Sequence, residues 1–129
     1  MNLINLDTID STSEEAKRRL RTATTIDEVA ALFDTAIIAK KQTAGKGRRG
    51  KNFHSPDTGD SLYISFILPP PKQSRSTQLL TVAAAVAVCL SIEEILADSD
   101  DTTQYPAIKW VNDVLIDNRK IWETQPQET

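Results

Sequence analysis

The stretch Thr35–Pro56, "TAIIAKKQTAGKGRRGKNFHSP", decides the fold. Its first eight residues read as a strand, and the rest is a basic loop carrying Gly45, Gly47 and Gly50. Those glycines match G-x-G-x-x-G, and Gly45 to Lys51 also spells G-x-x-x-x-G-K. Both patterns signal phosphate, and both require a helix directly after the loop, because the helix N-terminus receives the anion. Here Asn52 stands where a P-loop needs Ser or Thr, and Pro56 and Gly59 break up the segment where that helix would have to form. A strand and a glycine loop with no helix behind them argue against a nucleotide-binding, doubly wound sheet.

The elements on either side point the same way. "DSTSEEAKRRLRTA" opens a helix, with Ser11 and Glu14 as a capping box or Thr12 and Glu15 as the alternative frame. Ala16, Leu20 and Ala23 give it a narrow apolar stripe. A second short helix turns Ile26, Val29, Ala30 and Phe33 inward. "SLYISFIL", Ser61 to Leu68, is a strand whose Leu62, Ile64, Phe66 and Leu68 are expected to face the core. Prolines at 69–71 end it. Thr77 to Leu96 is the longest helix, apolar almost all round and expected to be buried and central. "AIKW", "DVLID" and "KIWE" are short strands, the last two joined at a tight Asp117-Asn118 turn, and Trp110 is expected in the core. The order α, α, β, β, α, β, β, β predicts an α+β fold with a mixed, partly antiparallel sheet and helices packed on it. Residues 1–129 read as one domain with a frayed tail over 124–129.

Composition narrows the function. Apolar residues at 40% and charged residues at 26% describe a globular chain, not a disordered one. The net charge of −3 is a segment of +6 between Ala36 and Pro56 set against −9 over the rest. A single cysteine, Cys89, sits in an apolar run, which suits a structural thiol in a reducing compartment. With one histidine, His54, no zinc site is expected, and no metal-binding residues are assigned. The N-terminus lacks the pattern of a signal peptide, and the run from Leu79 to Leu90 is too short to span a bilayer. The expectation is a cytoplasmic protein without membrane contact.

Two readings of the basic loop remain. Nucleic-acid binding through "GKGRRGK", with Phe53 stacking a base, is weakened by a sequence pI near 5.1 and by the lack of a second basic patch. The other reading joins the loop to "DSTS" and to "IKWVNDVLIDNRK", which supplies Lys109, Asn112, Asp113 and Lys120. Together these could hold one carboxylate and one polyphosphate. Attack of a carboxylate on a phosphate brings two anions together. A cation ~4 Å away is worth roughly 4 kcal/mol at an effective dielectric of about 20.

These three segments resemble the biotin–protein ligase family, whose pattern runs D-S-T-N, then Q-x-A-G-[RK]-G-R-x-G-[RK]-x-[WF]-x-S-P, then K-W-P-N-D and a lysine after a short turn. The resemblance implies a class II aminoacyl-tRNA synthetase-like fold, here incomplete, and an ATP- and Mg²⁺-dependent activation of biotin to biotinyl-5′-adenylate. Transfer to a lysine of a biotin carboxyl carrier protein domain would follow. It implies biotin contacts at Ser11, Thr12, Ser13, Gln42, Lys46, Gly47, Arg48 and Lys120. It implies ATP contacts at Lys51, Phe53, Lys109 and Asn112, and catalytic roles for Arg48 and Lys120. Lipoate–protein ligase is a related fold, and the "GKGRRG" loop favours biotin.

The sequence departs from the pattern at Ser13, in place of Asn, and at Val111, in place of the proline. After Lys120-Ile121 the family continues with further strands, whereas this sequence reads "WETQPQET". An exposed sheet edge and a homodimer through the C-terminal strands are therefore expected. The alternative function is a non-catalytic remnant that binds ligand weakly or assembles with a partner.

Overall fold

The computed structural model describes residues 1–45, 60–70, 76–97, 104–110 and 113–124. They fall in two compact units, Met1–Pro70 and Pro71–Glu128.

The first unit begins with a strand that the sequence pattern did not predict. β1 spans Asn2–Ile9 and is followed by α1, Thr12–Thr22, and α2, Ile26–Ala31. β2, Thr35–Gln42, has the bounds expected of it, and β3 is Tyr63–Ile67. β1 contains Asn2, Asn5 and Asp7, residues depleted in strands. It is held by parallel pairing with β2 from Asn2↔Thr35 to Ile9↔Gln42. β3 pairs antiparallel on the other side of β2, giving the mixed order β1-β2-β3. Central β2 is the buried strand: Thr35, Ala36, Ile37 and Ala39 are all inside. Ile37 is fully enclosed, which contributes about 1.5–3 kcal/mol relative to exposure.

The face of β3 is the reverse of the one expected. Tyr63 and Ile67 are buried, while Leu62, Ile64, Phe66 and Leu68 are exposed, Phe66 by 57%. The reason is α1, which packs on β2 and β3. Ser65 meets it through a hydrogen bond to Thr12, so the Tyr63-Ser65-Ile67 side is the covered one. Ile26, expected inward, is 87% exposed at the first position of α2.

The second unit holds α3, Ser76–Ala97, β4, Ala107–Lys109, β5, Asp113–Ile116, and β6, Arg119–Glu123. The three strands form an antiparallel sheet in chain order, with an irregularity at Val114/Leu115. The expected turn is present: Asp117 and Asn118 both have positive φ, at 50° and 62°, between paired Ile116 and Arg119. Asp and Asn tolerate that region better than other residues with a Cβ.

α3 packs on β4 and β5. It is not buried all round, contrary to the expectation from its composition. Thr81, Ala85 and Cys89 form one buried stripe at four-residue spacing, whereas Leu79, Val86, Leu90 and Ile95 are exposed. Ala85 and Cys89 meet Val114, with Val88, Ile92 and Trp122 packed around them. Small residues on the inner stripe let the helix approach the sheet, and the larger ones are left outside. Burial, and then the charge of Glu93, push the Cys89 thiol up, as befits a structural cysteine. Trp110, expected in the core, is 79% exposed. Leu79–Ala97 is long and apolar enough to cross a bilayer by length and composition, more than the Leu79–Leu90 run suggested. Core helices of soluble proteins share that property.

Candidate functional site

Four of the motif residues meet where β1 ends, α1 begins and β2 ends. The parallel pairing of β1 and β2 continues past the strands, since the Thr43 amide donates to Ile9 O at 2.9 Å and the Ala44 amide to Asp10 O at 2.8 Å. This brings Gln42 against the start of α1. Gln42 Oε1 accepts from the Thr12 amide at 2.7 Å and from Thr12 Oγ1 at 3.2 Å. Thr12 Oγ1 in turn accepts from Ser65 Oγ at 2.9 Å. Ser11 and Ser13 pair through their hydroxyls at 3.0 Å. Ser11 and Thr12 are both buried. One small polar knot therefore ties two strands and a helix together at the carboxyl ends of the parallel pair.

Neither expected capping box forms at α1. Ser11 occupies the N-cap position with an extended backbone, but its side chain makes no cap hydrogen bond. Its hydroxyl goes to Ser13, Thr12 goes to Gln42, and Glu14 and Glu15 reach forward to Lys17, Arg18 and Arg19. The free amide at the helix start is satisfied by a glutamine thirty residues away.

Sequence reasoning missed three residues that build this knot. Arg18 grips Asp10 with two hydrogen bonds of 2.8 Å, and Asp10 Oδ1 also accepts from the Ser11 amide at 2.7 Å. The Arg18 guanidinium first, and the Ser11 amide second, hold the Asp10 carboxyl well below the usual carboxylate range. The third is Ser65, whose signal was available: it is the hydroxyl at the middle of an otherwise apolar strand.

The second unit carries Lys109 and Lys120. Lys109 pairs with Asp113 across β4 and β5, and Asp113 with Glu123 across β5 and β6. Lys120 Nζ donates to Glu123 Oε2 at 2.6 Å and lies 3.9 Å from Asp113 Oδ1. The hydrogen bond to Glu123 holds the Lys120 ammonium above its ordinary range, against a smaller opposing effect of burial. The lysine is half exposed and keeps its charge at any ordinary pH. A depression of about 410 Å³ beside this hairpin is lined by Gln104, Ile116, Asp117, Arg119 and Ile121, none of them a motif residue assigned to ligand. Lys46, Gly47, Arg48, Lys51, Phe53 and Asn112 lie outside the described residues, as does the tail beyond Thr124.

Comparison with known proteins gives the family of the chain. Residues 9–122 match the model of the Biotin/lipoate A/B protein ligase family. The chain is 42% identical over 86 residues to the bifunctional ligase/repressor BirA of Bacillus subtilis (strain 168), covering 67% of this chain and 24% of that protein. Among solved structures it is similar to the biotin protein ligase from Aquifex aeolicus in complex with biotin and ATP. That match has 34% identity, a TM-score of 0.66, and covers 92% of this chain and 43% of that one. The biotin protein ligase from Leishmania major in complex with biotin is similar in fold, at 23% identity and a TM-score of 0.71, over 92% of this chain and 48% of that one. The chain spans about a quarter of the length of the curated relatives it matches and under half of these solved ligases.

Proposed function

The chain belongs to the Biotin/lipoate A/B protein ligase family, and from that premise we propose that it carries the acid-recognition part of an ATP-dependent biotin–protein ligase. Its mixed α+β architecture is the class II aminoacyl-tRNA synthetase-like fold of the solved ligases. The observation that carries the reading is the Thr12–Gln42–Ser65 knot, because it puts the two motif segments "DST" and "Q-x-A-G" in hydrogen-bond contact at a sheet end.

In the proposed reaction a carboxylate oxygen of biotin attacks the α-phosphorus of ATP. The bond to the bridging oxygen breaks and pyrophosphate leaves. The ε-amine of a lysine on a biotin carboxyl carrier protein domain then attacks the acyl carbon of the adenylate. The amide forms, AMP leaves and the amine loses a proton. Ser11, Thr12, Ser13 and Gln42 are assigned to the head of biotin, where a fixed set of donors and acceptors orients the acid before reaction. Lys46, Gly47 and Arg48 are assigned to the loop over the adenylate, Lys51, Phe53, Lys109 and Asn112 to ATP. Arg48 and Lys120 are each assigned a catalytic role as a source of positive charge for the reacting anions.

Lys120 is held by Glu123, so it must exchange a carboxylate of the protein for one of the substrate. Mg²⁺ enters with ATP. Mg²⁺ is a small, hard cation that keeps several waters and is usually bound through substrate phosphates, so in this reading the triphosphate of ATP carries it. The reading extends to a cytoplasmic setting, independent of membrane and nucleic acid, to a single partial catalytic domain over 1–129, and to pairing of two copies through the C-terminal strands.

Calorimetric titration with biotin, then with ATP and Mg²⁺, tests this. Heat with biotin that Arg48→Ala and Lys120→Ala reduce about tenfold or more in affinity, the cost of one charge-assisted contact, is expected. Silence with every ligand would leave the non-catalytic reading in its place.

A further inference from the structure

Every hydroxyl in the knot has a protein partner: Ser11 with Ser13, Thr12 with Gln42, Ser65 with Thr12. The hydroxyl of Tyr63 does not. Among the described residues it is the one buried side-chain polar atom without a hydrogen bond, and Tyr63 is only 8% exposed. Folded proteins rarely leave such a group unpaired, because its lost hydration is not repaid.

Its place in the sheet says where a partner would come from. The antiparallel register sets Tyr63 opposite Ala39, at the end of β3 nearest Gln42. Tyr63 also shares its face with Ser65, two residues along, a step of roughly 7 Å. Tyr63 therefore shares a sheet end and a covered face with the knot. Its neighbour on β2, Ala39, offers only a methyl group.

We infer that the Tyr63 hydroxyl is a specificity-determining contact for the head group of the acid, favouring a hydrogen-bonding head over an apolar one. The inference rests on the proposed ligase reading and goes beyond it to the choice between the two acids in the family's name. Biotin carries a cyclic urea, with two N–H donors and one carbonyl acceptor, and a phenol can complement either. Lipoate carries a dithiolane, which offers no comparable partner and would leave the hydroxyl unpaired. A site with a buried polar group rejects the analogue that cannot satisfy it far more strongly than an apolar pocket rejects an added group.

The test is Tyr63→Phe, which keeps the ring and removes the oxygen. It combines calorimetry with biotin and with lipoate and a thermal melt without ligand. The expected result is a biotin Kd raised about tenfold, the loss of one hydrogen bond. Lipoate affinity should be unchanged or improved, and the ligand-free Tm unchanged or higher. A biotin Kd within about twofold of wild type, or a fall in the ligand-free Tm, overturns the inference and assigns the hydroxyl to a structural water. Wild-type protein that binds biotin beside a variant that binds it equally defeats this inference alone. Wild-type protein that binds neither acid defeats the ligase reading and this inference with it.

Discussion

The two helix starts of the first unit use nearly the same residues to opposite ends. At α2, Thr25 Oγ1 accepts from the Glu28 amide at 3.2 Å, and Glu28 Oε2 accepts from the Thr25 amide at 3.2 Å and the Thr24 amide at 2.6 Å. That is a complete local capping box. At α1 the sequence offers Ser11 with Glu14 and Thr12 with Glu15, and neither pair closes. The hydroxyls face each other and the sheet, and Gln42 replaces the cap from the end of β2. A cap supplied from far along the chain makes the helix start part of the sheet end. It leaves the small hydroxyls at the place where a ligand is expected, while Glu14 and Glu15 still favour the helix dipole.

Substitution separates these two designs. Gln42→Ala has the largest effect, because it leaves the amide of buried Thr12 without a partner. A loss of about 1–3 kcal/mol in urea unfolding is expected. Thr25→Ala follows, at about 1 kcal/mol, the usual cost of a lost cap. Ser11→Ala removes the hydrogen bond to Ser13 but no cap, so a loss of about 0.5 kcal/mol, the low end for one hydrogen bond, is expected. Equal losses for Thr25→Ala and Ser11→Ala would erase the contrast.

The smallest effect concerns the clamp behind Ser11. Asp10 is partly exposed, so its pair with Arg18 adds little to stability. Its sign is fixed all the same. The folded carboxyl titrates below the unfolded one, so the stabilisation is present above the unfolded value of about 3.9 and is lost as pH falls through the folded value. The stability difference between wild type and Asp10→Asn should be level from pH 7 to about 4 and shrink below it. A difference that shrinks between pH 7 and about 5 would implicate another group.

Much of this was legible in the sequence where local chemistry decides structure. β2 carries its own strand signal, and Asp117-Asn118 is the residue pair that accepts two positive φ values in succession. The motif segments also contain Ser11, Thr12, Ser13 and Gln42, which the fold brings together. What was not legible depends on distant partners. β1 looks like a poor strand until β2 lies beside it. β3 is apolar on both faces, so hydropathy could not orient it. The apparent outlier, Ser65, marks the inner face because Thr12 is there to meet it. α3 and Trp110 failed for a related reason, since apolar residues were read as buried when the described contacts cover only one stripe of the helix.

The central claim is that the start of α1, capped from a distance by Gln42, is the ligand's place and the locally capped start of α2 is only structure. Backbone amide chemical shifts recorded by NMR during a biotin titration test it most directly. The account predicts the largest changes at Ser11, Thr12, Ser13, Gln42 and Ser65, with Thr25 to Glu28 unmoved. Changes confined to α2 or to the β5–β6 hairpin, or no change at saturating biotin, would contradict it.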